Sequence, residues 1–575
     1  MGYGEHSIET PREVASPIVE RVMTVSARVP HREAVVVSGR HRQAITYRQL
    51  VDDASAIASY LTNVTSTGSV GVIASRSCAS TFVASYLGVL MSLRQLVLMD
   101  PSYNRAEVQR IITRCHIEVL LGEESILNAL DIGRNEADSV GHAHVRRVAR
   151  ADQDTEERDL LSLTNNSRRV PGVYFLTSGT TGEPKLVEHS QGQLVAGVDM
   201  IREAFGAKFA LSPTRMIKGV ALLRQHPRAV LRAAFGRRQI WSTALPPWRI
   251  AGHSLMLEAV LTGGTFVVPA EPGSAAMSRT LLNEMVTVLA LAPVECEFLI
   301  RHVETNEAKF PSLLVIGLGS DRISARLVER ARSTFHCSVV AGYGSTELGG
   351  GVSTTDPLVD GPVEDGCVGK PLPGASIRIV DELGREVPIG HIGEIRCGLA
   401  TPTQGTAESH EQKDPTSIDQ GEIWHSTGDA GWVDSSGRLY VLGRLDDLII
   451  KGGNRIDPKL VERVCEEVPG FDQTAVVAST GRSDTTRIVA VYVRNYETEL
   501  SVQSVSSYLV ERLGRSRTPD LFVEVANIPM TSDGKVKRNE VRARIEKLFL
   551  SENPNLVQDG WALSIEHLSL QSSQA

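Results

Sequence analysis

Short apolar runs alternate with helix-like segments over the first part of the chain, and this alternation restricts the possible folds more than any other feature. Residues 47–61 repeat apolar side chains on one helical face, and the run VGVIA at 70–74 is typical of a buried strand. A second helical segment at 79–91 precedes a second apolar run, LVLMD, at 96–100. Strands separated by helices form parallel sheets covered by helices. The sequence therefore predicts an α/β fold, and the polar stretch 134–170 is predicted to be loop or surface.

The length and the later pattern predict more than one domain. A single hydrophobic core stops growing at about 250–300 residues, and this chain has 575. Short strands separated by Gly, Pro and Asp turns at 376–442 predict a small barrel-like subdomain, and a compact α+β unit is predicted past Arg444. We therefore expect a large N-terminal domain of helix-covered sheets at 1–445, a small mobile α+β domain at 446–550 and a polar tail at 551–575.

Composition excludes some classes of function. The formal net charge is −8 and the pI about 6.1, which gives no support for binding nucleic acid. No run of about 20 apolar residues is present, so no membrane-spanning helix is expected. The first residues lack the pattern of a secretory signal, and the seven scattered cysteines are predicted to be reduced. We expect a cytoplasmic protein with neither a nucleic-acid nor a membrane partner.

One segment, residues 204–257, departs from this acidic balance, since it contains no Asp or Glu. It is either a solvated basic face on a helical insertion or a docking patch for an anionic partner. Its basic residues include Lys208, Arg215, Lys218, Arg224, Arg228, Arg232, Arg237 and Arg238.

The string TSGTTGEPK at 177–185 follows a predicted strand and indicates a phosphate-binding loop. Its glycines and small hydroxyl residues leave backbone N–H groups free to approach phosphate oxygens, and Lys185 adds a cation. No Lys-Ser/Thr pair ends the string, so it differs from the GxxxxGK[ST] loop.

A second string, GYGSTE at 342–347, also follows a predicted strand. The ring of Tyr343 can lie against a purine, Thr346 can bond a phosphate, and Glu347 can ligate a magnesium ion that bridges phosphates. Alone, this hexapeptide is a weak indication, and Glu347 is equally compatible with an ordinary surface position.

Two further strings lie nearer the C-terminus. In STGDAGWVDSSGRLYVLGR at 426–444, Asp429 can accept hydrogen bonds from ribose hydroxyls, and Arg444 can reach the same sugar. In TSDGKVKR at 531–538, a lysine stands on a Gly-containing turn, a pattern that by itself is common at exposed surfaces.

Together, and in this order, the four strings resemble the acyl-adenylate-forming, AMP-binding superfamily of acyl- and aryl-CoA synthetases, non-ribosomal peptide adenylation domains and luciferases. The resemblance extends from ITYRQL at 45–50 to KVKRNEVR at 535–542, and it includes LMDPSYNRAE at 98–107 and KGGNRIDPKLVE at 451–462.

The resemblance implies a role for individual residues. Lys535, Glu347, Thr346 and Lys185 would be catalytic, Glu347 would bind Mg²⁺, Asp446 would be the hinge between domains, and Gly453 would line a tunnel for the thiol. Residues implied to bind ATP are Thr177, Ser178, Gly179, Thr180, Thr181, Gly182, Lys185, Gly319, Ser320, Gly342, Tyr343, Gly344, Thr346, Asp429, Arg444 and Lys535.

The implied acid pocket differs from the pattern of the family. ALPPWRIAGH at 244–253 aligns with the acyl-pocket helix, but Trp248-Arg249 stands where many members have an aromatic-His pair, and Ile250 stands where α-amino-acid enzymes usually have Asp. Arg249 can pair with a second anionic group on the acid, face solvent or face the thiol channel. The implied pocket residues are Trp248, Arg249, Ile250, His253, Gly317, Gly349, Gly350 and Gly351.

The resemblance predicts an enzyme, an acid–thiol ligase that forms acyl-AMP from ATP with release of pyrophosphate. Coenzyme A or the phosphopantetheine of a carrier protein in trans would accept the acyl group, and the acid would be aryl or otherwise not an α-amino acid. Two alternatives stay open. One is an adenylating enzyme with an amine or other nitrogen acceptor, or one that oxidises the adenylate; the other is a nucleotide-binding relative without catalysis.

Overall fold

The structure is a computed structural model. It describes residues 16–64, 68–132, 134–140, 143–147, 170–177, 185–206, 239–356, 363–399, 416–419, 422–451, 454–479, 486–496, 502–530, 536–550 and 562–567. The chain divides into two compact units: the first comprises 1–378, 396–427 and 433–440, and the second comprises 379–395, 428–432 and 441–575.

Strands alternate with helices through the first unit, as the sequence predicts. The strands are β1 (Glu33–Ser38), β2 (Gln43–Thr46), β3 (Ser69–Ile73), β4 (Leu96–Leu98), β5 (Ile117–Gly122), β6 (Arg134–Val140), β7 (Ala143–Arg147), β8 (Val173–Thr177), β9 (Lys185–His189), β10 (Ile240–Thr243), β11 (Thr265–Pro269), β12 (Val288–Leu291), β13 (Val315–Leu318), β14 (Ser338–Ser345), β15 (Gly350–Thr354) and β16 (Cys367–Pro371). The helices are α1 (Pro17–Arg28), α2 (Tyr47–Val64), α3 (Ala79–Met91), α4 (Arg105–Cys115), α5 (Glu124–Leu130), α6 (Gln191–Gly206), α7 (Ile250–Thr262), α8 (Ser274–Asn283), α9 (Pro293–Asn306) and α10 (Ala325–Phe335).

Two sheets form the framework of this unit. In one, strands follow the order β16-β15-β14-β13-β12-β10-β11-β1-β2, and the central pairs from β14 to β1 are parallel. In the other, the order is β6-β7-β5-β3-β4-β8-β9, with parallel pairing of β5, β3, β4 and β8. Parallel strands need crossover connections, which the helices between them provide.

The helices cover these sheets with the faces that the sequence predicts. In α2 the side chains of Leu50, Ala54, Ile57 and Leu61 are all fully buried. Helix α3 is apolar on every side and is buried along almost its whole length, as expected for a helix inside a large core. The predicted α/β architecture of this region is confirmed.

The polar stretch after α5 differs from the sequence prediction. Residues 134–140 and 143–147 form an antiparallel strand pair at the edge of the second sheet, where β7 pairs with β5. Strand β6 is the edge strand, which pairs along one side only and tolerates polar residues, so its sequence resembles that of a surface loop.

Residues 376–442 contain short strands separated by turns. The strands of this region are β17 (Ala375–Val380), β18 (Gly393–Leu399), β19 (Thr416–Asp419), β20 (Glu422–Val433) and β21 (Leu439–Arg444). Cys367 of β16 pairs with Tyr440 of β21, so the region continues the first sheet.

Beyond β21, the second unit is the predicted α+β unit. Its strands are β22 (Ile449–Lys451), β23 (Asn454–Ile456), β24 (Phe471–Ser479), β25 (Arg487–Arg494), β26 (Leu521–Val525) and β27 (Ala562–His567), and its helices are α11 (Pro458–Glu466), α12 (Val502–Leu513) and α13 (Arg538–Leu550). Strands β24 to β27 form one sheet in sequence order. Strand β27 lies within the predicted polar tail and pairs antiparallel with β26. The domain boundaries stay a prediction.

Within the described part of the chain, we find no helix with both the length and the apolar character needed to cross a membrane.

Candidate active site

A hairpin positions the two ends of the predicted phosphate loop. Strands β8 and β9 are antiparallel, and Thr177 pairs with Lys185 at the open end of the hairpin. Lys185 is exposed there, so its ammonium group is available to an anion. The loop residues between them, including the predicted ligands Ser178, Gly179, Thr180, Thr181 and Gly182, lie outside the described residues.

The ends of β13 and β14 bring together four residues of the predicted site. The strands are parallel neighbours, with Gly317 paired to Val340, and a Cβ on Gly319 would stand 3.6 Å from the carbonyl oxygen of Gly342. Ser320, directly after this strand end, has a φ of 68°. A left-handed conformation is uncommon in a residue with a side chain and often marks a functional position.

Past Gly342, strand β14 turns back into β15 through the predicted adenine and phosphate residues. Tyr343 pairs with Ser353, and Gly344 pairs with Gly351. A Cβ on Gly344 would stand 2.0 Å from the carbonyl oxygen of Gly350, so only glycine allows the two strands to approach this closely.

The turn at the end of this hairpin carries Thr346 and Glu347. The Gly349 N–H donates to the Thr346 carbonyl oxygen at 3.1 Å, and Gly349 has a φ of 76° that favours glycine. Glu347 is exposed, whereas Leu348 is buried. The turn therefore presents a carboxylate outward and an apolar side chain inward.

His189 holds the same turn from the opposite side, and sequence reasoning did not identify it. Its ring Nε2 is 2.5 Å from the carbonyl oxygen of Thr346, across 157 positions of sequence. The ring is fully buried and packs edge-on against Phe175 of β8, with 5.8 Å between the ring centroids. Burial lowers the pKa of His189, although the hydrogen bond to the Thr346 carbonyl opposes this. The neutral ring therefore carries its proton on Nε2 and donates to the carbonyl.

In the second unit, the two residues predicted to hold ribose are in contact. Arg444 Nη1 lies 3.4 Å from Asp429 Oδ1. Asp429 is the more buried of the two, with 13% of its side chain exposed against 56% for Arg444. The predicted hinge, Asp446, lies two residues further on in the short 3₁₀ turn Leu445–Asp447 and is exposed. Lys535 and Gly453 lie outside the described residues.

A cavity begins directly behind the Thr346–Gly349 turn. One wall is the α6 helix, and the other is the turn together with β15. Apart from Gln193, the described residues that line it are apolar or glycine: Ala196, Gly197, Met200, Leu348, Gly349, Gly351, Val352, Gly374 and Leu399. The sequence prediction had included Gly349 and Gly351 but none of the α6 residues, although α6 immediately follows the phosphate-loop hairpin.

The predicted pocket residues at the start of α7 have several different surroundings. Trp248 and Ile250 are buried, each with 8% exposure. His253 is fully buried, with its ring against Phe175 at 4.9 Å and Tyr86 at 5.2 Å between centroids, and burial lowers its pKa to about 3. His253 is thus a neutral ring packed in the core.

Arg249, the most unusual residue of that segment, forms an ion pair within the protein. Its Nη2 lies 3.2 Å from Asp100 Oδ2, and only 11% of the Asp100 side chain is exposed. Burial alone would raise the pKa of Asp100, but hydrogen bonds from Ser102 and the charge of Arg249 lower it below its ordinary value. The structure gives Arg249 a partner that was not among the alternatives left open for it, namely Asp100 of the LMDP segment.

The basic segment at 204–257 can be described only at its ends. Residues 207–238 lie outside the described residues, and these include Lys208, Arg224, Arg228 and Arg232. The docking patch therefore stays a prediction.

Comparison with known proteins decides the family. The family model described as "AMP-binding enzyme" matches residues 23–405, which span the hairpin of the phosphate loop and the Thr346–Gly349 turn. The chain belongs to the AMP-binding enzyme family.

Relatives within this AMP-binding family include two bacterial ligases. The putative acyl–CoA ligase YdaB of Bacillus subtilis is 28% identical over 376 residues, 64% of this chain and 67% of that protein. The fatty acid–[acyl-carrier-protein] ligase ScoC of Streptomyces coeruleorubidus is 26% identical over 378 residues, 65% of this chain and 67% of that protein. The predicted enzyme class, an acid–thiol ligase, is confirmed.

The fold is shared with solved structures. ATP-bound MatB from Rhodopseudomonas palustris superimposes with a TM-score of 0.70 at 21% identity, and the match covers 93% of this chain and 99% of that one. This likeness confirms the predicted fold class.

A magnesium ion would fit the predicted nucleotide site, with Glu347 as its protein ligand. Mg²⁺ is usually held by one or two carboxylates together with substrate phosphates, and not by a cage of protein ligands. An exposed carboxylate on the turn next to Thr346 supplies such a ligand. The described residues contain no group of three or more His, Cys, Asp or Glu side chains arranged for a metal ion.

Proposed function

We propose that this enzyme converts an aryl or other non-α-amino carboxylic acid, with no second charged group, to its acyl-AMP and passes the acyl group to the thiol of coenzyme A or of a carrier protein. The observation that carries the proposal is the Thr346–Gly349 turn, which has the predicted magnesium ligand on its exposed side and the apolar cavity on its buried side. One short turn thus adjoins both reactants of an adenylation.

In the first half-reaction, a carboxylate oxygen of the acid attacks the α-phosphorus of ATP, and the bond to the bridging oxygen breaks to release pyrophosphate. Negative charge increases on the phosphoryl oxygens, and fixed cations and donors lower the barrier. Lys185, the Thr346 hydroxyl and Lys535 are the groups we assign to this stabilisation. Glu347 would hold a bound Mg²⁺, which would neutralise phosphate charge.

In the second half-reaction, the thiolate sulfur attacks the acyl carbon, and the bond from that carbon to the AMP oxygen breaks. Lys535 is no longer needed once pyrophosphate has left. We infer that a rotation at Asp446 removes it and opens the thiol path past Gly453, since hinges are a few residues at the ends of elements.

The class of acid follows from the charges of the predicted pocket residues and from the lining of the cavity. An α-amino acid needs an anion for its ammonium group, because burying that cation unpaired costs several kcal/mol. Ile250 offers none, and the Asp100 carboxylate is already paired with Arg249. Because Arg249 is paired with Asp100, it is not available as a cation for a second carboxylate on the substrate. Among the described residues, the cavity lining itself carries no charged side chain.

The names of the relatives support a thiol as the acceptor. YdaB is named as a ligase for coenzyme A, and ScoC as a ligase for an acyl-carrier protein. Both acceptors carry negative groups, and the predicted docking patch within 204–257 would attract either.

ATP–pyrophosphate exchange tests the adenylation, with aryl, fatty, dicarboxylic and amino acids supplied in parallel. We expect exchange with aryl or other apolar monocarboxylic acids. Exchange only with standard L-α-amino acids contradicts the proposed substrate class, and no exchange with any acid contradicts the proposed reaction. Acceptor-dependent release of AMP then distinguishes coenzyme A, a carrier protein and an amine.

Charge reversal tests the docking patch separately. Replacing Arg224, Arg228 and Arg232 together by Glu should raise the Michaelis constant for the acceptor and leave exchange unchanged. The effect should weaken at high salt, since screening shortens the reach of surface charge to about 10 Å at 0.1 M. A Michaelis constant for the acceptor equal to that of the wild type would identify the segment as a solvated face.

A further inference from the structure

We propose that His189 is a positioning residue for adenylation: its Nε2–H holds the turn that carries Thr346 and Glu347 in register with the strand that carries Lys185. This inference rests on the proposed function. It assigns a role to a residue that lies beyond the phosphate-loop string and touches neither reactant.

The first step of the argument is the position of His189 on β9. Lys185 begins this strand and His189 ends it, so both belong to one short, hydrogen-bonded segment. The strand is fixed to β8 along its whole length, with Thr177 opposite Lys185 and Val173 opposite His189. A group that is hydrogen-bonded to the His189 ring therefore has a defined position relative to Lys185.

The second step is what His189 holds. The Thr346 carbonyl oxygen accepts one hydrogen bond from the Gly349 N–H, which closes the turn, and one from His189 Nε2. A carbonyl oxygen has two lone pairs, and both are used here. The imidazole thus connects the phosphate hairpin directly to the turn, and the Thr346 hydroxyl and the Glu347 carboxylate depend on where this carbonyl lies.

The third step is the close fit of the ring against the turn. A Cβ placed on Gly349 would lie 3.4 Å from His189 Nδ1. Phe175 packs against the other part of the ring, at 5.8 Å between centroids. The ring is fully buried, so water does not compete for its N–H. The imidazole therefore has one orientation and one donor directed at the turn.

Three substitutions separate the hydrogen bond from the packing. His189→Phe keeps a ring and removes the donor. His189→Gln places an amide N–H near the position of Nε2, whereas His189→Asn places it near Nδ1, too short to reach Thr346. Leu90→Ala, in the buried core of α3 and away from the turn, is the control for general destabilisation.

The measurements are exchange kinetics over a range of Mg·ATP concentrations and, separately, thioester formation from supplied acyl-AMP. We expect His189→Phe and His189→Asn to lose about fivefold to tenfold in kcat/KM for Mg·ATP, the effect of one hydrogen bond, and His189→Gln to recover most of it. Thioester formation should stay near the wild-type rate in all three.

Two results would overturn the inference. One is wild-type kinetics for Mg·ATP in His189→Phe. The other is an equal loss in both half-reactions, the pattern expected for Leu90→Ala, which identifies His189 as a residue of the core only. If the wild-type enzyme shows no exchange with any acid, the proposed function fails, and calorimetric affinity for Mg·ATP in the same variants then decides the inference by itself.

Discussion

Glu258 of helix α7 is a carboxyl group buried in the core of the first unit, with only 4% exposure. Its Oε2 makes no hydrogen bond to any described residue. Burial raises its pKa from 4.5 to about 8, against the opposing charges of Arg202 and Arg21. Arg21 is itself paired with Asp199 at 2.8 Å. The folded protein therefore keeps Glu258 protonated at neutral pH.

This raised pKa predicts how stability depends on pH. The unfolded chain loses the Glu258 proton above about pH 4.5, whereas the folded protein retains it up to about pH 8. The folded state is therefore progressively destabilised between these two values and by a constant amount above them. At about 1.4 kcal/mol per pH unit, the cost is about 1 kcal/mol at pH 5 and about 3 kcal/mol at pH 7.

Glu258→Gln tests this reasoning, because the amide has nearly the same shape and does not ionise. The free energy of unfolding, from urea curves followed by tryptophan fluorescence, should increase for the variant relative to wild type by about 3 kcal/mol between pH 5 and pH 8. Any constant cost of burying the amide cancels in that difference. Glu271→Gln, at a site where 59% of the side chain is exposed, is the control and should follow the wild type. Parallel pH profiles for Glu258→Gln and wild type would refute the reasoning, since they mean that Glu258 is ionised in the fold.

Three further predictions concern the second unit and the turn. Arg538→Met alone should lower the free energy of unfolding by about 3–5 kcal/mol because it leaves Glu462, its buried partner at 2.7 Å, uncompensated. Arg538→Met with Glu462→Leu should restore only part of this loss in the same urea experiment, because the Val476 N–H and carbonyl oxygen lose the side chains that they bond. Gly349→Ala should lower the free energy of unfolding by about 1–3 kcal/mol, because alanine is strained at a φ of 76°. Thermal unfolding should show the lower stability, and an ATP–pyrophosphate exchange assay should show slower adenylation. Lys535→Ala should slow adenylation by about a hundredfold or more and leave thiol transfer from supplied acyl-AMP nearly unchanged, whereas Asp446→Pro should slow thiol transfer and leave adenylation nearly unchanged. Equal losses in both half-reactions contradict the proposed rotation at Asp446.

The sequence by itself determined the class of fold and the enzyme family. Apolar periodicity and turn residues are local properties, so the helix at 47–64 and the strands after it could be predicted from short windows. The strings around Lys185 and Glu347 indicated phosphate and magnesium chemistry for the same reason: a phosphate loop is one continuous piece of backbone. The family match at 23–405 confirmed the AMP-binding family, whereas the roles of Lys185 and Glu347 stay predictions.

Local reasoning failed where pairing between strands replaces side-chain periodicity. Residues 134–140 and 143–147 lie in a polar stretch that was predicted to be loop or surface, yet they form two paired strands of a sheet. Strand 562–567 within the predicted tail is similar, because it exists through pairing with 521–525. Backbone hydrogen bonds to a neighbouring strand are not visible in a window of one sequence.

Only the tertiary structure decided which distant residues share a site. His189 meets Thr346 across 157 positions, and Arg249 meets Asp100 across 149. The residues next to His189 or Arg249 in the sequence do not indicate its partner, since a side chain can contact any residue that the packed elements bring near it. Packing likewise decided that helix α6 forms one wall of the cavity and that Glu258 is buried. Periodicity gives the face of a helix that is buried, but the elements that cover that face depend on the order of strands in both sheets.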